Sequence, residues 1–359
     1  MKFIDEYRNQ QYAGVLVKEI EKLSNKEITI MEVCGTHTMS IFKYGIKNIL
    51  PKNIKIISGP GCPVCVTPES YIDIAINLSK REDVIIVTFG DMLRVPGKEG
   101  TLLNRKSIDN NIRIVYSSMD AINIAINNPY KKVVFLSLGF EATTPMAALT
   151  AIEVKNRKIN NFLFLTSHRK MPPIIEKLSK DPELKTDGYL LPGHVCAITG
   201  IKEFENLSSR YKIPGVVTGF EPVDILQGIK KLVEIVNKNE ARVINEYKRV
   251  VREKGNENAQ KYINKVFKSS DGEWRGIGRV IESEFVLKDE YEAYDAIRYF
   301  NIEVERNREI SICRCGEILT GKITPKMCPL FRKVCTPENP VGACMVSTEG
   351  TCSAYYKYS

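Results

Sequence analysis

Ten cysteines and three histidines hold most of the chemical potential of this 359-residue sequence. The first group is Cys34-Gly35-Thr36-His37-Thr38, directly after an apolar run. A thiol followed by Gly at a strand end can open onto a cleft. A His three residues on, with two hydroxyls, offers a borderline ligand or a base that lowers the thiol pKa. A lone Cys is more often a small buried hydrophobe, but the flanking Gly, Thr and His favour a reactive setting. The second group is Cys62-Pro63-Val64-Cys65, within GPGCPVCVTP. Two residues between cysteines allow a reversible disulfide, and a helix N-terminus stabilises the nearer thiolate. Half a zinc site has the same spacing and needs a second ligand pair. The Pro inside the motif favours a redox dithiol.

Six further cysteines fall in the last 47 residues: Cys313, Cys315, Cys328, Cys335, Cys344 and Cys352. Four of them form a C-x14-C-x6-C-x16-C pattern through Cys313, Cys328, Cys335 and Cys352. Zinc ribbons use tight paired knuckles, which are missing here. Dispersed thiolates, with Pro and Gly shaping the backbone, suit a cubane iron–sulfur cluster. Cys315 and Cys344 are then spares, either of which could replace a neighbouring ligand. The stretch is too rich in Gly, Pro and Cys for regular elements and reads as a metal-stapled tail. A tenth cysteine, Cys196, sits in LPGHVCAITG and reads equally well as core packing.

Charged residues mark the remaining loops. Asp91 and Arg94 lie in FGDMLRVPG, Glu141 and Glu221 in two Gly-Phe-Glu turns, His168 in SHRK and His194 in PGHVC. All three histidines therefore fall in such loops, although for any single one a hydrogen-bonded structural role is the simpler reading.

These loops need a scaffold. Short β-branched runs at 28–33, 54–58, 83–89, 112–117, 131–138, 161–167, 188–191 and 215–219 read as strands, and helical patterns separate several of them, as at 68–82 and 119–128. Continuous apolar runs suit parallel strands buried on both faces. The pattern predicts an α/β protein with two similar parallel-sheet domains, 28–120 and 121–222, facing a cleft. A third domain combines 1–27 with 223–359 and carries the cysteine tail. Ligands of open parallel sheets sit beyond the carboxyl ends of the strands, where all these loops would lie. Apolar residues from Ile225 to Val250 recur at three- to seven-residue steps and predict one long amphipathic packing helix.

Composition narrows the function. The net charge of +9 comes from 52 Lys+Arg against 43 Asp+Glu, scattered along the chain. A nucleic-acid groove would gather these cations into a stripe. Hydrophobic content of 43% and charged content of 26% exclude a disordered chain. No apolar run approaches the ~18 residues of a membrane span, and the charged N-terminus reads as no secretory signal. A cytoplasmic address is expected, and there cysteines serve metals or redox chemistry rather than a disulfide scaffold. No GxGxxG follows the first strand, so no nucleotide is expected.

Taken together, CGTHT, GPGCPVCVTP, FGDMLRVPG, GFEATTP, LPGHVCAITG and the tail spacing resemble the HypD family of hydrogenase maturation factors, over nearly the whole chain. The resemblance implies two α/β domains around a cleft and a third bearing a [4Fe-4S] cluster. It implies a part in building the Fe(CN)2CO group of [NiFe]-hydrogenases. The partners would be HypC, which holds the iron jointly, and HypE, which delivers cyanide. Carried over by position, Cys34 becomes the iron-binding thiolate and His37 a cleft residue. Cys62 and Cys65 become the redox dithiol, and Cys313, Cys328, Cys335 and Cys352 the cluster ligands. An electron route from cluster to dithiol to the iron at Cys34 is the expected mechanism. Two other readings compete: an iron–sulfur thiol–disulfide oxidoreductase resembling ferredoxin-thioredoxin reductase, and a structural zinc protein.

Overall fold

The computed structural model describes residues 4–108, 111–304 and 312–359. Its strands are β1 (Ile28–Glu32), β2 (Ile54–Ser58), β3 (Val84–Thr88), β4 (Ile112–Ile114), β5 (Lys132–Gly139), β6 (Phe162–Arg169), β7 (Gly188–Pro192), β8 (Gly215–Thr218), β9 (Val243–Asn245), β10 (Phe267–Trp274) and β11 (Gly278–Leu287). The first eight match the apolar runs of the sequence to within a few residues. Strands β3, β7 and β8 are buried throughout, because helices cover both faces of a parallel sheet.

Two sheets result, as the α/β reading requires. The first has the order β2-β1-β7-β8-β9 and is parallel throughout. The second has the order β10-β11-β6-β5-β3-β4, parallel from β6 to β4 and antiparallel at the β10–β11 and β11–β6 pairings. They are not consecutive halves of the chain. The first sheet takes residues 28–58 and 188–245, the second 84–169 and 267–287. A split near residue 120 therefore does not describe the strand pairing, since β3 joins β5 and β7 returns to lie beside β1. Apolar runs reveal that a segment is a buried strand; they carry no information about which strand it lies beside.

The long helix is also shorter than expected. It covers Pro222–Asn237, and Val243 lies in edge strand β9 instead. Asn239 adopts φ 53°, a left-handed turn that ends the helix. Helix Pro222–Asn237 packs against helix Gln10–Leu23 on the first sheet, through Leu16, Ile20, Ile229 and Leu232. Residues 267–287, which showed no strand signal, extend the second sheet. The cysteine tail contains short helices after all: Cys315–Leu319, Ala343–Val346 and Thr351–Tyr358. The last helix is fastened to the first sheet's helix Gly35–Lys43 by Phe42 and Tyr355, whose ring centroids lie 4.4 Å apart.

Candidate metal and redox site

Strands β1 and β2 pair in register, with Glu32 opposite Ser58. The loops that follow them therefore emerge side by side. Cys34 precedes helix Gly35–Lys43, and Cys62 precedes the one-turn helix Pro63–Val66. Backbone bonds tie the two loops: Gly59 N–H donates to Glu32 O (2.7 Å) and Gly35 N–H to Gly61 O (3.1 Å). Gly61 lies on the backbone of Cys34 itself, where a Cβ would come within 2.3 Å of the Cys34 Cα. Cys62 and Cys65 form a disulfide, with Cα atoms 5.2 Å apart. The two sequence motifs thus form one site.

The electrostatics of that site centre on Cys34, which is 8% exposed. Burial pushes its thiol up to about 12, and the Glu349 carboxylate adds to the rise; the backbone N–H groups of His37 and Thr36 act in the opposite direction. The sulfur thus feels the N-terminal amides of its helix, while the ring of His37 is engaged elsewhere. Its Nε2 donates to Gly219 O (2.9 Å), and the ring stacks on Phe220 at 4.7 Å. Burial lowers His37 to about 4, so the imidazole is neutral.

Two acids complete the site, and sequence reasoning passed over both. Glu32, buried at the end of β1, accepts the Cys34 N–H (3.1 Å) and the Thr38 hydroxyl (2.6 Å). Burial pushes its carboxyl up to about 8. Glu349, from the tail, accepts the Thr36 hydroxyl at 2.6 Å. An acid inside the apolar run ITIMEV was the available signal for Glu32. Glu349 gave none, being 313 residues from Thr36.

In the tail, Cys313, Cys328, Cys335, Cys344 and Cys352 line one apolar recess with Ile318, Leu330, Phe331 and Met345. The Cys335 sulfur accepts the Val341 N–H at 3.4 Å. Burial raises Cys335, Cys344 and Cys352, and neighbouring thiols add to the rise. For Cys313 the contact with Cys315 is the larger cause of a strong upward shift. Among the described residues no three His, Cys, Asp or Glu side chains converge to hold a single metal ion. A four-iron cubane asks for something else, one thiolate per iron around its rim, and the donor set fits that group. Cys344 lines the recess with them, and Cys315 lies behind Cys313, in contact with it. Helix Ala343–Val346, which carries Cys344, packs against the dithiol helix Pro63–Val66.

Comparison with known proteins now bears on the chain as a whole. The model of the HypD family, described as "Hydrogenase formation hypA family", matches residues 11–359. The chain belongs to the HypD family. It is 42% identical over 366 residues to hydrogenase maturation factor HypD of Escherichia coli K12, covering 100% of this chain and 98% of that one. It is 45% identical over 344 residues to a Methanocaldococcus jannaschii protein named for hydrogenase expression/formation, covering 95% and 96%. Hydrogenase maturation factor HypD of Cupriavidus necator is 41% identical over 368 residues, covering 100% and 97%.

In this HypD-family chain the other singled-out residues divide into floor and frame. A cavity of about 830 Å³ opens at the carboxyl ends of β3, β5 and β6; Asp91 and His168 line it, with Pro63 and Val64 of the dithiol helix and Glu349 of the tail. His168 is buried between the hydroxyls of Ser137 (2.9 Å) and Thr144 (3.1 Å). Thr144 also donates to Phe140 O (2.9 Å), so it accepts from Nδ1–H, and Nε2 accepts from Ser137. The other residues are frame. Glu141 accepts the Met171 N–H (2.8 Å), Glu221 holds Arg8, and Arg94 donates to Pro337 O and Val346 O of the tail. His194 stacks on Phe220 from 3.9 Å, and Cys196 is fully buried.

Proposed function

We propose that this chain is a cytoplasmic hydrogenase maturation scaffold that holds iron on Cys34, jointly with the small partner HypC, while cyanide and CO are attached to form Fe(CN)2CO. HypE is the cyanide donor in this reading. The observation that carries it is the lodging of Cys34 against the Cys62–Cys65 loop, at the carboxyl ends of two paired strands. Family membership points the same way.

The chemistry of the chain's residues suits the task. CN and CO favour low-spin ferrous iron, and a thiolate is a fitting temporary anchor for it. Without a cation Cys34 is held as a thiol, between burial and the Glu349 charge. A divalent ion on the sulfur reverses that balance, expels the proton and turns both acids into favourable neighbours. The Thr36 and His37 amides then face a negative sulfur. Reduced Cys62 and Cys65 give up two electrons and two protons on closing to the disulfide, one bond forming between the sulfurs as two S–H bonds break. Cys313, Cys328, Cys335 and Cys352, with Cys344 beside them, would hold a [4Fe-4S] cluster, which supplies single electrons when bound. A free-standing thiol–disulfide oxidoreductase fits less well, because Cys62 is 3% exposed and Cys65 is fully buried against a protein disulfide.

Infrared spectroscopy of the protein co-purified with HypC tests the reading. CN and CO stretches are expected in the wild type and are absent in Cys34→Ala. Bands of equal strength in that variant would overturn it.

A further inference from the structure

The second sheet carries another cavity, which neither the Cys34 site nor the cysteine recess uses. It measures about 640 Å³ and is walled by β6, by the β10–β11 hairpin and by helix Glu69–Ser79. Ser167 and Arg169 of β6 line it, and both are 1% exposed. His168, between them, lines the cavity beside the dithiol helix. Successive side chains of a strand point to opposite faces, so the two cavities open on opposite faces of β6.

Two buried donors here lack an acceptor. The Ser167 hydroxyl and the Arg169 Nε–H have no hydrogen-bond partner among the described residues. Buried polar groups are nearly always satisfied, and two exceptions on one face of one strand call for a polar occupant. The charge of Arg169 is met by Glu284, whose Oε2 lies 2.8 Å from Nη1. Gly272 makes room for that guanidinium, since a Cβ there would come within 2.5 Å of Nη1. The Glu284 side chain stays 18% exposed on the cavity wall, so its carboxylate can still accept.

Charge decides what that occupant is. The Arg169–Glu284 pair is neutral as a whole, and the cavity wall carries five carboxyl groups against three guanidiniums. An anion would meet net repulsion, and a simple cation would leave both donors unsatisfied. A carboxamide meets both demands, with a carbonyl oxygen that accepts and an NH2 that donates. Tyr71, Ile74, Leu165 and Val286 give the remaining wall an apolar surface for the rest of the molecule. We propose that this cavity binds a small neutral carboxamide, its carbonyl oxygen held by Ser167 and Arg169 and its NH2 group by Glu284.

The experiment titrates the full chain with benzamide and with benzoate, its ionised isostere, followed by saturation-transfer NMR. Benzamide is expected to bind at least about tenfold more tightly than benzoate. No binding of benzamide overturns the site, and benzoate binding as tightly overturns the ligand class. Ser167→Ala removes one of the two donors and is expected to weaken benzamide at least about tenfold; unchanged affinity in that variant overturns the inference. The melting temperature without ligand gives a second readout. Deleting a buried hydroxyl that has no partner relieves an unsatisfied group, so Ser167→Ala is expected to melt no lower than the wild type. A variant that melts lower, or that fails to fold, shows the hydroxyl to be satisfied already and overturns the inference as well.

Discussion

Gly61 and Cys34 are in backbone contact: a Cβ at position 61 would stand 2.3 Å from both the N and the Cα of Cys34. Backbone rather than a flexible side chain is what it would meet, so neither loop can yield without moving a sulfur. Gly61→Ala is expected to destabilise the protein by about 1–3 kcal/mol and to raise the alkylation rate of Cys34 as the loop lifts. Gly90→Ala is the control, since a Cβ there meets nothing within 4 Å; it should stay within about 0.5 kcal/mol of wild type. Urea denaturation and timed iodoacetamide labelling read both effects, and equal behaviour of the two variants would contradict the contact.

Stability should fall with rising pH because of Glu32. Its folded carboxyl is raised from 4.5 to about 8 by burial. The folded state thus keeps a proton that the unfolded chain has lost, and the contribution is full below about 4.5 and gone above about 8. Glu141, raised to about 7, acts in the same direction. His37 and His168, lowered to about 4 and about 3, act oppositely, but only below their ordinary 6.5. Between pH 6.5 and 8 the carboxyls prevail, at up to about 1.4 kcal/mol per pH unit for each group still titrating. Urea midpoints across that window should fall in the wild type and flatten in Glu32→Gln. Parallel slopes would remove Glu32 from the account.

Much of this was legible in the residues because it is local. The first eight strands are continuous apolar runs, and CGTHT and CPVC lie at strand ends, as read. What failed was pairing at a distance. Nothing in the composition of β7 says that it lies beside β1, so the expected halves were sequential where the sheets interleave. The β10–β11 hairpin escaped because FKSSDGEW is mostly polar between its buried ends, Phe267 and Trp274. Residues Ile225 to Val250 read as one helix because their spacing fits a helical face on either side of the Asn239 turn. Glu349 reaches Thr36 only through tertiary packing, which a linear reading does not display.

Cys313 and Cys315 are the one ambiguous pair in the tail spacing, and they touch each other but differ in their relation to the recess. The recess is lined by Cys313; Cys315 is buried in the first tail helix next to the Gly276 turn. Serine at 313, 328, 335 or 352 is expected to remove most of the bound iron and sulfide. Cys315→Ser should retain at least about three-quarters of the wild-type content, because a cubane takes four thiolates and Cys313, Cys328, Cys335 and Cys352 would supply them. Iron and acid-labile sulfide assays on anaerobically purified protein decide it. Loss of iron in Cys315→Ser to the level of Cys335→Ser would exchange the assignments.

The dithiol is the part of the site whose removal least disturbs the framework. Replacing both cysteines by Ala takes away two small sulfurs and the Cys65 N–H to Cys62 Sγ bond of 3.2 Å. It leaves the Gly59–Glu32 and Gly35–Gly61 backbone bonds that seat the loop on Cys34. A stability loss of about 2–4 kcal/mol is expected, from a short cross-link and one weak hydrogen bond, with iron still able to reach Cys34. If the dithiol supplies electrons to the iron centre, Cys62→Ala/Cys65→Ala should co-purify with HypC yet form the Fe(CN)2CO bands at least about tenfold more slowly, a barrier rise of about 1.4 kcal/mol or more. Time-resolved infrared spectra during assembly measure that rate. Bands appearing at the wild-type rate would show that the neighbouring sulfurs shape the loop and take no part in the chemistry at Cys34.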